Sequence, residues 1–199
     1  DKMKNKNHYN QSVVLACKER IDQNGLKKCL DKIVLHHDAL RMSFKTEGDL
    51  VAQINRGNEG NVYRLSEHDF ISSDNPELSM EETATQIQSE CELSNGALFR
   101  VGLFHLPKGD RLVLISHHLV IDGVSWRIIL EDLAGLYDQF LNNENLVLPS
   151  KTVAYQTWTD RMQSWATPEN LKLDLKYWKN FQKELEVSNG IQTNVEYKE

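Results

Sequence analysis

Apolar positions along the chain alternate between two periods. QSVVLACK, residues 11–18, is a short run rich in β-branched residues and reads as a first strand. From Asp22, a residue type that caps helices, Leu26, Leu30, Ile33 and Val34 recur on one stripe at helical spacing. This predicts a helix ending near LHHDALR. Short strands are predicted at RMSFK, VAQIN and NVYRL, with EGD and RGNEGN as turns. SMEE has the Ser-x-x-Glu form of a capping box, so a second helix is expected to begin at Ser79, with Ala84, Ile87 and Cys91 on its inner face.

LFRVGLFHL and RLVLISHHL, on either side of the turn PKGD, are apolar nearly throughout. Burial on both faces produces that pattern, so they are predicted to be neighbouring central strands of a sheet covered by helices, within an α/β fold. After Gly123 the period returns to about 3.6. Trp126, Ile129, Leu130, Leu133, Leu136, Tyr137 and Phe140 form a broad stripe, with Glu131, Asp132 and Asp138 on a wetter side. Two more helices are predicted around AYQTWTDRMQSW and LKLDLKYWKNFQKEL, their aromatic residues serving as packing anchors. VSNGIQTNVEYKE reads as a loop.

The 199 residues, 40% hydrophobic and 26% charged, suffice for one substantial core. A net charge of -6 provides no concentrated basic face for nucleic acid or an anionic membrane, which leaves small molecules or proteins as partners. Cys17, Cys29 and Cys91 are odd in number and lack a CxxC pattern, as expected of unpaired thiols in a reducing, cytoplasmic setting. No apolar run approaches the ~18 residues of a membrane span. The first residue is not Met, which reads as a chain cut from something longer.

Candidate chemistry concentrates in LVLISHHLVIDGVSW, residues 112–126, where a buried strand gives way to an amphipathic helix. Adjacent strand residues point to opposite faces, so His117 and His118 cannot share one metal or act on one atom, and at most one faces a substrate. No further ligands stand at zinc-site spacing, so no metal is expected. The structural alternative is a pair of satisfied core histidines. Against it, an imidazole at the mouth of an apolar strand is pushed towards its neutral form and can take a proton near pH 7. A desolvated Asp122 needs a cation or hydrogen-bond partner, and Gly123 permits a sharp turn at the helix start. His36 and His37 read as partners of a helix C-terminus, and His105 as an exposed strand end. His8 and His68 carry no signal.

HHLVIDG resembles the HHxxxDG motif of the condensation-domain superfamily of nonribosomal peptide synthetases, with the strand and helix in the expected places. HHDALRMSF resembles the superfamily's second conserved segment, with His36 where many relatives have Arg, and AYQTW resembles the stretch before the late helices. DGVSWRIILEDL and HYNQSVVL look like an epimerization domain. The resemblance implies a chloramphenicol-acetyltransferase-like sandwich, a mixed central sheet covered by helices. Residues 1–199 would be the N-terminal subdomain, without the family's opening Pro-Ile-Gln segment and its C-terminal half.

The resemblance to epimerization domains implies inversion of the α-carbon of an aminoacyl or peptidyl thioester on the phosphopantetheine arm of a peptidyl carrier protein. The implied partners are the carrier domain and the C-terminal half of the same domain, with no directly bound cofactor. His118 would transfer the proton, with His117, Asp122 and Gly123 supporting the motif. The complementary group would be a glutamate of the other half, so the fragment alone should be a poor catalyst. Ser125 would contact the thioester or pantetheine, or cap the helix. Asp122 would pair with Arg41, or with His36, in a buried ion pair. A condensation domain proper and a non-catalytic carrier-docking relative remain as alternatives.

Overall fold

A computed structural model describes residues 6–187 except 49, 58–61 and 95. The expected loop from 188 onwards and parts of the EGD and RGNEGN turns lie outside the described residues. The chain divides into two compact units, residues 1–151 and 152–199.

In the first unit, a short 3-10 turn at Lys6–His8 leads to β1 (Asn10–Cys17), followed by α1 (Gln23–His36), β2 (Met42–Glu47), β3 (Leu50–Asn55) and β4 (Tyr63–Asp69). Next come α2 (Pro76–Ser89), β5 (Phe99–Leu106), β6 (Gly109–His117) and α3 (Gly123–Leu141). One sheet has the order β1-β6-β5-β4, and β2 pairs with β3 in a separate ribbon. β6 is antiparallel to both β1 and β5, whereas β4 runs parallel to β5. The sheet is therefore mixed, and the two strands with continuous apolar runs occupy its centre, as predicted.

The period-two alternation of the central strands sends their side chains to two cores. Val101, Leu103, Leu112 and Leu114 face α1 and α3, meeting Leu30, Ile33, Ile129 and Leu133. Phe104, Val113 and Ile115 face the other way, against Ile87 and Cys91. Each fully buried Leu, Ile or Phe contributes ~1.5–3 kcal/mol of transfer free energy, so the sheet is held from both sides. The three cysteines are free, and burial pushes the Cys29 thiol up to about 11, leaving it an inert packing group.

Element ends follow local chemistry. Asp22 caps α1 as expected, accepting from the Gly25 amide at 2.6 Å. α2 begins earlier than the capping-box pattern suggested, because Asn75 caps it and Pro76 supplies a preset first turn. The β5–β6 hairpin turns through Pro107 and Lys108 into Gly109, whose φ of 108° and close approach to the Cys17 carbonyl admit no side chain.

In the second unit, α4 (Tyr155–Trp165) and α5 (Pro168–Val187) carry stacked rings, Tyr155 with Trp158 and Tyr177 with Phe181. None of these aromatic residues is buried, contrary to the packing-anchor expectation. No helix among the described residues is long and apolar enough to cross a membrane.

One polar cluster organises the sheet end away from the histidine pair. Asp110 is fully buried, and its carboxylate accepts from Arg20, the Ile21 amide and His105 Nδ1 at 2.5, 2.7 and 2.9 Å. His105 Nε2 continues to Glu67 at 2.8 Å. His105 is thus no exposed strand end; it ties β5 to β4 and β6. Burial opposes ionisation of Asp110, but the Ile21 amide, His105 and Arg20 outweigh it and hold its pKa below the ordinary value. Burial likewise opposes charging of His105, but hydrogen bonds to Glu67 and Asp110 and their negative charge raise its pKa.

The two shifts define a pH window. The His105 contribution is complete below its unfolded pKa of about 6.5 and is lost as pH rises through the higher folded value. The Asp110 contribution is complete above about 3.9 and is lost as pH falls through its depressed folded value. Urea unfolding midpoints measured across pH should show this cluster contributing most between about pH 4 and 6.5. His105→Gln should flatten the alkaline decline.

Candidate active site

The register of β1 on β6 builds the site. Gln11 lies opposite Ser116, and Asn10 opposite His117. Period-two alternation therefore puts Gln11 and His118 on the α1–α3 face of the sheet, with His117 on the α2 face. The ladder continues one residue past β6, because the His118 amide donates to the Tyr9 carbonyl at 2.8 Å. The opposite-face expectation for the two histidines holds.

Each imidazole has a defined tautomer. His118 Nδ1 is 2.8 Å from the Ile121 carbonyl, which can only accept, so Nδ1 carries the proton. Its Nε2 is then an acceptor, 3.1 Å from the Gln11 side-chain nitrogen. Trp126 fixes the amide orientation, since its indole N–H donates to Gln11 Oε1 at 3.0 Å. An unbroken chain from Trp126 through Gln11 thus ends on the Nε2 lone pair of His118. The Tyr9 ring stacks on the half-buried imidazole with centroids 5.2 Å apart.

His117 is 2% exposed. Its Nε2 donates to the Lys6 carbonyl at 2.9 Å, and its Nδ1 accepts from the Leu119 amide at 3.2 Å. Burial, the largest influence, lowers its pKa against the opposing Lys6 hydrogen bond. Both ring nitrogens are satisfied, so His117 pins the strand end.

Asp122 corrects an expectation. It is exposed and forms the N-cap of α3, accepting from the Ser125 amide at 2.8 Å and the Ser125 hydroxyl at 2.6 Å. Those two bonds hold its pKa below the ordinary carboxylate value. Ser125 is therefore the cap's hydrogen-bonding partner rather than the cap itself, and Gly123 opens the first turn. The ion pair expected for Asp122 does not form. Arg41 donates to the Val34 and Leu35 carbonyls at 2.5 and 2.9 Å and to Asp38 at 2.7 Å, while His36 packs against His37. The physical reason is proximity: α1 leaves terminal carbonyls unsatisfied within a few residues of Arg41, whose guanidinium fork matches them. Asp122→Ala should accordingly lower the melting temperature only modestly, and Asp122→Ser should restore it. A collapse of stability in Asp122→Ala would reinstate a buried pair.

Sequence reasoning missed Gln11 and Trp126 as members of the site. Gln11 stands out only as a polar residue at the start of an apolar strand; its partner depends on strand register.

Residues 1–193 match the family model described as Condensation domain. The chain is 38% identical over 177 residues to tyrocidine synthase 2 of Brevibacillus parabrevis, covering 89% of this chain and 5% of that protein. It is 35% identical over 202 residues to gramicidin S synthase 1 of Brevibacillus brevis, covering 97% of this chain and 18% of that protein. The fold matches the crystal structure of the epimerization domain from the third module of tyrocidine synthetase B with a TM-score of 0.84 and 38% identity, over 89% of this chain and 40% of that one. The starter condensation domain of rhizomide synthetase shares the fold with a TM-score of 0.74 at 18% identity, over 87% of this chain and 42% of that one. This chain thus spans a small fraction of the synthetases and less than half of each solved domain. With its mixed sheet and its HHxxxDG corner between β6 and α3, the chain belongs to the condensation-domain family of nonribosomal peptide synthetases.

Proposed function

We propose that the chain is part of an epimerization domain that inverts the α-carbon of an aminoacyl or peptidyl thioester held on the phosphopantetheine arm of a peptidyl carrier protein. The observation that carries the reading is the His118 imidazole, with its Nδ1 proton committed to the Ile121 carbonyl and its Nε2 lone pair held by the neutral Gln11 amide alone among the described residues. A thioester acidifies its α-hydrogen, and a positioned neutral imidazole is suited to removing it. In the reaction this lone pair passes from the Gln11 amide to the α-hydrogen. The resulting enolate is planar at carbon, and return of a proton to its other face gives the opposite configuration. The complementary proton transfer falls to the family's C-terminal half, so activity requires the complete domain. The reading involves no directly bound cofactor and a cytoplasmic setting.

Epimerization is preferred to condensation because the likeness to an epimerization domain is 38% identical, whereas the likeness to the starter condensation domain is 18%. The family model carries the condensation description, which keeps peptide-bond formation as the second reading. The complete domain, given an L-aminoacyl carrier in deuterated water, should incorporate deuterium at the α-carbon and accumulate the D isomer. Absence of exchange, with a peptide bond formed once donor and acceptor carriers are supplied, would instead make it a condensation domain. Neither reaction would leave a carrier-docking role.

A further inference from the structure

Away from the strand-to-helix corner, two helices bring metal-ligating side chains together. His36 closes α1, His37 is its C-cap residue, and Asp132 projects from the middle of α3. One ligand atom from each lies within 4.8 Å of the others. His37 Nε2 is 2.8 Å from Asp132 Oδ2, and the His36 ring stands edge-on to that of His37 with centroids 4.9 Å apart. α1 and α3 are packed through a shared core, so the scaffold holding these groups is rigid.

The surroundings suit a cation. The C-terminal end of α1 is the negative end of its dipole, and Asp132 adds a full negative charge. Lys151, the neighbouring cation, is engaged by Asp38 at 2.5 Å, and Arg41 by the same carboxylate at 2.7 Å. The side chains of His37 and Asp132 are 21% and 14% exposed, which leaves an ion access to water ligands. No hydrogen bond fixes the His36 ring among the described residues, so it can turn the remaining distance towards the other two.

We infer that His36, His37 and Asp132 form a site for a divalent transition metal of borderline hardness, the class of Zn²⁺ and Co²⁺, joining the end of α1 to α3. Two imidazoles and one carboxylate match the ligand preference of that class, with water completing the coordination. Mg²⁺ and Ca²⁺ prefer all-oxygen sets. On binding, His37 Nε2 and the Asp132 carboxylate oxygen exchange their mutual hydrogen bond for the ion. The site is separate from His118 and does not depend on the reaction assigned to it.

The test is titration of the complete domain with Co²⁺ under reducing conditions, read by visible d–d absorption, followed by displacement with Zn²⁺. One equivalent should bind and raise the melting temperature, while Ca²⁺ does neither. His36→Ala and Asp132→Asn should each weaken binding at least about tenfold. His36→Ala should keep the metal-free melting temperature, because its half-exposed ring forms no hydrogen bond among the described residues, so its loss of affinity is not unfolding. Absence of a saturable equivalent, or unchanged affinity in both variants, would overturn the site. So would a signal that survives His36→Ala and disappears in Cys17→Ser.

Discussion

His118→Ala in the complete domain should lower the rate of α-carbon deuterium exchange by about 10²–10⁴-fold, the usual contribution of a positioned general acid or base. Its melting temperature should change little, since the half-buried imidazole sits past the end of β6 and, among the described residues, bonds to the Ile121 carbonyl and the Gln11 amide. His117→Ala should show the reverse balance. Its removal vacates a buried position and breaks the ring's hydrogen bonds to the Lys6 carbonyl and the Leu119 amide, at about 0.5–1.5 kcal/mol for each bond lost. Its unfolding midpoint should fall, and activity should follow stability. Exchange persisting in a folded His118→Ala domain would remove His118 as the essential base and move that role to the complementary half.

Asp110→Ala should be the most destabilising single change at the other end of the sheet. Three donors converge on this fully buried carboxylate from the loop before α1 and from the end of β5. Breaking a buried charged pair by removing one partner costs about 3–5 kcal/mol, because the groups left behind are desolvated without compensation. Arg20→Ala should cost much less: the Arg20 side chain is 48% exposed and water replaces it. Urea unfolding of both variants near pH 6 reads the contrast directly. Equal midpoints for Asp110→Ala and the parent would show that the cluster is not organising the sheet end.

The features legible in the sequence depend on local period. The stripe Leu26, Leu30, Ile33, Val34 and the runs through 98–106 and 111–118 predicted α1 and two central strands, and these occur as expected. Strand alternation likewise separated His117 from His118 without knowledge of any partner. The cap of α1 was equally readable, since Asp22 and the Gly25 amide are three residues apart.

Partner choice across the fold was not readable. Arg41 was expected to pair with Asp122, but the end of α1 together with Asp38 took its guanidinium, leaving Asp122 to cap α3. His105 looked like a strand end until the hairpin and the β4–β5 pairing placed Asp110 and Glu67 on its two nitrogens. Gln11 and His118 are separated by 107 residues, and His37 and Asp132 by 95. Periodicity along the sequence settles which face a residue occupies. Which distant side chain it meets there depends on strand register and the packing of α1 on α3, and those are properties of the assembled sheet and helices alone.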